Sequence, residues 1–435
     1  MRRFLVIVVL VLLVGAGAYY FLNRTDASEG TAPAVAGAPP SADVLARGEY
    51  LAKAADCTAC HTVPGSGKPF AGGVAFVLPF GTIYSSNITA DAATGIGSWS
   101  DDDFARAVRE GVRKDGQRLY PAFPYTSYTQ LSRGDVLAIK AYLFSLPKIA
   151  QSNKENSLSF PYNHRFLMGF WNAISFKSQR FTPDPAQSPQ WNSGKYLAGA
   201  LGHCGECHTP RNVAFGLDHG DELAGAELQG WRAYNITSDQ LHGVGAWSND
   251  DLVSYLTTGH ADGRGLASGP MSEVVENSLR FLHPADAAAL VAYLRTVPAR
   301  RGEDPITVDV DAAPAKASNS AAPGGDSAKA DNPGLRLFEG ACASCHQWNG
   351  KGQQTPYASL LGTRGVNDVH GANVTQIVLH GSGLRSQGPN IFMPAFGDAY
   401  SDTEIAALTN YVIAHFGNKQ GDVTPDNVAQ RRKAL

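Results

Sequence analysis

The chain opens on a stretch with no alternation of polarity. After Arg2 and Arg3, the 19 residues Phe4–Leu22 carry no charge, and Tyr19 and Tyr20 stand near the end of the run. That length approaches the roughly 20 residues that cross a bilayer, with aromatics where interfacial ones sit, so an uncleaved anchor over residues 1–23 is the favoured reading. Ala16-Gly17-Ala18 keeps open a cleaved signal peptide with Phe4–Gly15 as its core. In both readings the basic end stays in the cytoplasm and the rest is exported. Further along, apolar positions recur at helical spacing in "RGEYLAKAA", "DFARAVREG" and "DVLAIKAYLFSLP", then again in "SGKYLAGAL", "DLVSYLTTG" and "DAAALVAYLRTVP". Ser100 and Ser248, each followed by acidic residues, read as helix N-caps. Few stretches alternate as strands do, so the expected fold class is mainly α.

These matching pieces form an internal repeat: Asn87 to Trp99 and Asn235 to Trp247 share the same spacing of 12 residues. A third, shorter copy keeps only the two ends, "GLRLFEGACASCH" and "SDTEIAALTNYVIAHFG". Residues 24–42 and 301–333 are rich in Ala, Pro, Gly and Ser, cannot bury a core, and read as linkers. The expected organisation is therefore three tandem domains at 43–149, 191–300 and 334–418, with a connector at 150–190 and a polar tail at 419–435.

Composition changes this picture only by exclusion. The 435 residues are 17% charged and 43% hydrophobic, as in globular proteins, and the net charge of -3 offers no basic surplus for a nucleic-acid backbone.

The cysteines carry the chemistry. All six lie in Cys-x-x-Cys-His motifs: Cys57 and Cys60 before His61, Cys204 and Cys207 before His208, Cys342 and Cys345 before His346. In an exported protein this motif reads as covalent attachment of haem c, the two thiols adding to the porphyrin vinyl groups and the imidazole approaching the iron. Zinc needs four ligands, whereas here each pair carries its own adjacent histidine; a redox dithiol would follow a strand of an α/β unit. Three covalently bound haems c are expected.

A sixth iron ligand is commonly methionine, which raises the potential. Met271, in "ASGPMSEVV", and Met393, in "IFMPAFGDAYSD", each fall once in a haem domain and are the expected ligands. The same count from His61 reaches Phe123 or Pro124 in "LYPAFPYTSY", and Phe123 cannot bind iron. Met168 and His164 read as packing residues of the connector. The carbonyls of Pro64 and Pro210 are candidates to accept the imidazole Nδ1 hydrogens. Trp99 and Trp247 are candidates either to donate to a haem propionate or to pack in the core. The other histidines carry no motif.

The motifs "CTACHT", "NIT", "GIGSWSDDDF", "RLYPAFPY", "LGHCGECHTPRN", "GVGAWS", "SGPM" and "MPAF" together resemble the three-haem cytochrome c subunits of bacterial membrane-associated dehydrogenases, from about Leu45 to Gly417. The resemblance implies cytochrome c-like domains and a catalytic dehydrogenase partner of quinoprotein, flavoprotein or molybdenum type. It further implies single-electron relay to ubiquinone or a terminal oxidase, on the periplasmic side of the inner membrane. The alcohol dehydrogenase branch typically has Met where Phe123 stands. Lys419–Leu435 is too polar for a C-terminal membrane helix, which puts the weight of anchoring on the N-terminus. With no glycine fingerprint, propeller repeat or spare metal cluster, the chain itself is expected to lack a substrate site. Competing readings are a gas- or peroxide-reactive centre at the first haem and a haem subunit of a terminal oxidase.

Overall fold

The computed structural model describes Gly17 and residues 41–302, 332–353, 355–385 and 391–433. Apart from Gly17, the expected N-terminal anchor lies outside these residues, as do most of both linkers. Among the described residues no helix is long and apolar enough to cross a membrane. The chain divides into two compact units: Met1–Pro183 with Gly199–His203 and Arg211–Leu217, and the remainder, Asp184–Ala198, Cys204–Pro210 and Asp218–Leu435.

The first unit is built on α1 (Ala42–Ala54), α2 (Cys57–His61), α3 (Asp101–Glu110), α4 (Tyr125–Tyr128), α5 (Arg133–Ser145) and α6 (Leu167–Ser175). Gly48, Leu51 and Ala52 recur on one face of α1 and are buried against α5, which contributes Val136, Ile139 and Leu143. Ser100 caps α3 as its sequence predicts: its side chain accepts from the Asp103 N–H while the Asp103 carboxylate accepts from the Ser100 N–H. Between α2 and α3, β1 (Ala75–Leu78) and β2 (Gly81–Tyr84) form a hairpin, to which β3 (Ser157–Leu158) of the connector adds an edge.

The second unit contains two helical assemblies. The earlier one repeats the order of the first unit with α7 (Pro189–Tyr196), α8 (Gly205–His208), α9 (Asn249–Thr258), α10 (Pro270–Asn277) and α11 (Pro284–Leu294), and with hairpins β4–β5 (Ala226–Leu228, Trp231–Ala233) and β6–β7 (His260–Ala261, Gly265–Leu266). The later one has α12 (Pro333–Leu337), α13 (Ala343–His346), α14 (Arg364–Asn367), α15 (Ala372–His380), α16 (Asp402–Gly417) and α17 (Pro425–Arg432), with hairpin β8–β9 (Ser382–Leu384, Ile391–Met393). The third copy therefore keeps more than its two ends. Its middle differs from the other two in sequence, and α14, α15 and the hairpin occupy it. The mainly α expectation holds; the strands it missed run two to four residues, too short for alternation to register.

One contact recurs in all three assemblies. A side-chain carbon placed on Gly48 would lie 2.0 Å from the Ala138 carbonyl oxygen, on Gly194 1.9 Å from that of Ala289, and on Gly334 2.2 Å from that of Ala407. Each glycine lets the first helix of its assembly cross α5, α11 or α16 at backbone contact, beside a tyrosine one turn further on: Tyr142, Tyr293 or Tyr411. This crossing sets where the cysteine motif begins. In the second and third assemblies a π-turn, Leu197–Leu201 or Phe338–Cys342, carries the chain from the crossing helix into the motif.

The two assemblies of the second unit share a polar seam. Asn373 pairs with the backbone of Arg232 as a strand would, its Oδ1 accepting from N–H at 2.8 Å and its Nδ2 donating to C=O at 3.0 Å. Arg431 donates to Glu227 at 2.7 Å and to the Gly230 carbonyl at 2.8 Å. Arg364 donates to the carbonyls of Asn235, at 2.7 Å, and Gly243.

Candidate haem sites

Each histidine of the three motifs sits at the end of a one-turn helix, α2, α8 or α13. Its Nδ1 faces a main-chain carbonyl: Ser86 at 2.7 Å from His61, Tyr234 at 2.6 Å from His208, and Ala358 at 2.7 Å from His346. A carbonyl only accepts, so Nδ1 carries the hydrogen and the lone pair of a neutral ring lies on Nε2. Surrounding protein, chiefly by desolvation, holds all three histidines below the usual range and so favours the neutral form; the carbonyl bond opposes this in part. Each ring is thus oriented with Nε2 available to a metal.

The acceptors correct the sequence expectation. Neither Pro64 nor Pro210 takes the Nδ1 hydrogen, and the Pro210 carbonyl instead accepts from the Asp218 N–H at 2.8 Å. The true acceptors arrive from loops 25 and 26 residues downstream of His61 and His208, and each lies immediately before the repeated "NIT". That repeat is a clamp. The fully buried Asn87 accepts from the N–H and hydroxyl of Thr89 and donates to the Ile149 carbonyl at 2.8 Å. Asn235 does the same with Thr237 and, at 2.6 Å, the Arg300 carbonyl. Each asparagine fastens the loop to the chain beyond the closing helix and fixes the adjacent carbonyl. The signal was visible in the sequence as an exact repeat with no evident chemistry.

The thiols are in free form, with no disulfide among them. Desolvation pushes Cys57 and Cys204 up to about 12 and Cys342 up to about 11, so these thiols are neutral at physiological pH. A zinc site depends on thiolates drawn to one point. Among the described residues, no group of three or more His, Cys, Asp and Glu is arranged to hold a metal ion. Thiol pairs each followed directly by an oriented imidazole fit a porphyrin joined through two thioethers.

Two of the four methionines were expected as distal ligands. Met271 lies in the first turn of α10, half-buried, after Gly269. Gly269 has φ +55°, and a side-chain carbon there would meet the Trp231 ring at 2.5 Å, so glycine lets the chain pass over that indole to deliver Met271. Met393 ends β9 and packs on the core cluster that contains Phe338 and Cys342. The two methionines occupy different elements, the start of a helix and the end of a strand.

Phe123 holds the place of Met271. The Leu119 N–H donates to the Gly111 carbonyl at 2.7 Å, as the Ala267 N–H does to Gly259 at 2.7 Å. Gly111 and Gly259 each cap the preceding helix in the left-handed region. Phe123 and Met271 both come four residues after these donors. The Phe123 ring meets Tyr128 edge-on at 5.5 Å. Met168 lies half-buried in α6, and His164 contacts the rings of Phe160 and Phe166. Trp247 packs against Val244, Leu252 and Val291, with the guanidinium groups of Arg264 and Arg364 over its ring at 5.5 and 5.9 Å. Trp99 offers its carbonyl to Lys140 at 2.9 Å.

Comparison with known proteins agrees with this geometry. The cytochrome c family model matches residues 45–147 and 332–414. The chain is 39% identical over 402 residues to the fructose dehydrogenase cytochrome subunit of Gluconobacter japonicus, covering 89% of this chain and 82% of the relative. It is 37% identical over 408 residues to the gluconate 2-dehydrogenase cytochrome c subunit of Pantoea cypripedii, covering 90% of each. Against the cytochrome c subunit of the alcohol dehydrogenase (quinone) of Gluconacetobacter polyoxogenes it is 34% identical over 409 residues, covering 90% of this chain and 85% of the relative. Relatedness of this depth along nearly the whole chain, joined to thiol pairs and oriented imidazoles, means that the protein belongs to the family of cytochrome c subunits of bacterial dehydrogenases.

Proposed function

We propose that the chain is a three-haem electron-transfer subunit, accepting single electrons from a catalytic dehydrogenase and passing them to ubiquinone or an oxidase. It works on the periplasmic face of the inner membrane, to which the Phe4–Leu22 run ties it. The reading rests on one observation above all: three histidines, each directly after a Cys-x-x-Cys pair, each fixed at Nδ1 by a carbonyl. Cys57 and Cys60, Cys204 and Cys207, and Cys342 and Cys345 would hold the porphyrins, with His61, His208 and His346 on the proximal side and Met271 and Met393 as distal ligands to the second and third. When bound, haem c supplies a one-electron couple at iron. The chain's own work is to orient the ligands, to keep each imidazole neutral, and to set the charge around it. The dehydrogenase partner is supported by the relatives, each of which is named as a dehydrogenase subunit.

The decisive experiment combines two measurements on the purified protein. The denatured chain is expected to carry three porphyrin masses, and rapid mixing with its substrate-reduced dehydrogenase is expected to reduce all three. A mass with fewer additions, or haems that the dehydrogenase leaves oxidised, overturns the reading.

The seam gives a smaller prediction. Arg364 comes from the third assembly but binds the Asn235 carbonyl, next to Tyr234, whose own carbonyl orients His208. Its charge disfavours protonation of His208, and by the same Coulombic sign it favours a site that gains an electron. Arg364→Gln is expected to lower the potential of the second haem by tens of millivolts and leave the first unchanged. Spectroelectrochemical titration of the variant reads both.

A further inference from the structure

Helix α6 has its polarity reversed. Its buried positions are Gly169 and Asn172, and Asn172 is held from inside by the Tyr125 hydroxyl, which donates to its Oδ1 at 2.7 Å. Phe166, Phe170 and Ile174 follow one another at four-residue spacing along a single face, and they stand 59%, 54% and 75% exposed. The stripe continues on both sides. Phe160, ahead of the helix, is 78% exposed and touches the ring of His164, which in turn touches Phe166. On the other side Trp171 donates from Nε1 to the Ala214 carbonyl at 2.7 Å, holding the loop that presents Val213, 103% exposed, and Phe215, 62% exposed. All these residues belong to the first unit. Soluble proteins rarely display so much contiguous apolar surface without a use for it.

Charge and tether length identify the occupant. From Asn156 to Pro183 the chain carries Arg165, Lys177 and Arg180 and no acidic residue, and from Thr209 to Leu217 it carries Arg211 and none; Arg180 is paired with Glu110 at 2.6 Å, while Lys177 and Arg211 are exposed. Exposed Phe flanked by exposed cations is the composition of an element lying in the interface of an anionic bilayer. The first unit is also the one nearest the apolar N-terminal run: the 18 residues 23–40 separate Leu22 from Ser41. These reach roughly 60 Å at most. We propose that the α6 face with the Val213–Phe215 loop is a membrane-docking surface that lays the first unit against anionic phospholipid. The inference rests on the anchored reading given under the proposed function, and it adds a second, independent membrane contact.

The test uses the complete haem-loaded chain, in which the native cysteines are taken up as thioethers. Phe170→Cys is labelled with a nitroxide and reconstituted into vesicles of phosphatidylethanolamine and phosphatidylglycerol. Power-saturation EPR is expected to find the label severalfold more accessible to dissolved oxygen than to a water-soluble nickel chelate, and less so when the vesicles are neutral phosphatidylcholine. Ile174→Cys, at the other end of the stripe, is expected to read alike, and unchanged haem absorbance of each labelled protein verifies folding. A label in aqueous surroundings while the chain floats with the vesicles overturns the surface but not the anchor. Protection that arises only on adding the dehydrogenase subunit also overturns it, and assigns the face to that protein. Haem mass and reduction by the dehydrogenase, read on the same preparations, keep the outcome for electron transfer separate.

Discussion

Substituting Gly194 with alanine will part the helix crossing that organises the second haem site, and the folded protein is expected to lose about 1–3 kcal/mol or more. The added carbon would lie 1.9 Å from the Ala289 carbonyl oxygen and 3.0 Å from the Tyr293 side chain. Both belong to α11, so neither can swing aside as the end of a flexible side chain would. The helices must separate, and the buried faces of Leu290, Val291 and Leu294 open with them. For a domain of about 100 residues, each kcal/mol moves the melting temperature by about 4–8 °C. The expected drop is therefore roughly 4–24 °C, measured by thermal unfolding followed at the Soret band. Gly340→Ala provides the control, because nothing lies within 4 Å of a carbon added there; that variant is expected to melt within a few degrees of the parent. Equal melting of the two would mean that the crossing does not need its glycine.

The second large effect is expected at Phe123. Because the Leu119-to-Gly111 and Ala267-to-Gly259 hydrogen bonds place Phe123 where the second assembly has Met271, Phe123→Met gives the first assembly the residue type proposed as ligand in the second. Unbranched methionine fits a phenylalanine site with little loss of packing. Thioether ligation stabilises ferrous iron. The potential of the first haem is expected to rise by on the order of 100 mV, part of the roughly 0.8 V that axial ligation spans. Redox titration checks the shift, and appearance of an additional thioether-to-ferric charge-transfer band checks its cause. No new band and an unmoved potential would show that another group already holds that position.

The contrast between these two sites shows what a sequence reveals. The helix starts at Ser100 and Ser248 were legible because capping is local: the serine, its N3 partner and the first turn lie within four residues. The thiol pairs and histidines stand side by side in the sequence because the proposed haem attachment demands adjacency. The Nδ1 acceptors were not legible, since Ser86 and Tyr234 act through main-chain oxygen, which every residue possesses. Asn87 and Asn235 did leave a mark, the "NIT" repeat, but its meaning needed the Ile149 and Arg300 carbonyls, more than 60 residues away. The seam made by Arg364, Asn373 and Arg431 was hidden for a related reason. An Ala- and Pro-rich stretch such as 301–333 tells that two domains are separately wound, and nothing about whether they then pack. The outward stripe of α6 was not legible: aromatics at helical spacing point to burial by periodicity alone, and only the buried position of Asn172 reveals that the polar side faces inward.

With haem held as proposed, tying each imidazole to peptide oxygen would make the iron's inner environment hard to disturb by mutation. Exchanging the side chain of Ser86, Tyr234 or Ala358 leaves the accepting atom in place, so the basicity of the three histidines is insulated from single-residue drift. In the proposed three-haem reading, differences in potential would then originate elsewhere, at positions such as Phe123 against Met271 and in nearby cations such as Arg364. Such a protein can be retuned for a new electron donor without endangering the attachment of its cofactors.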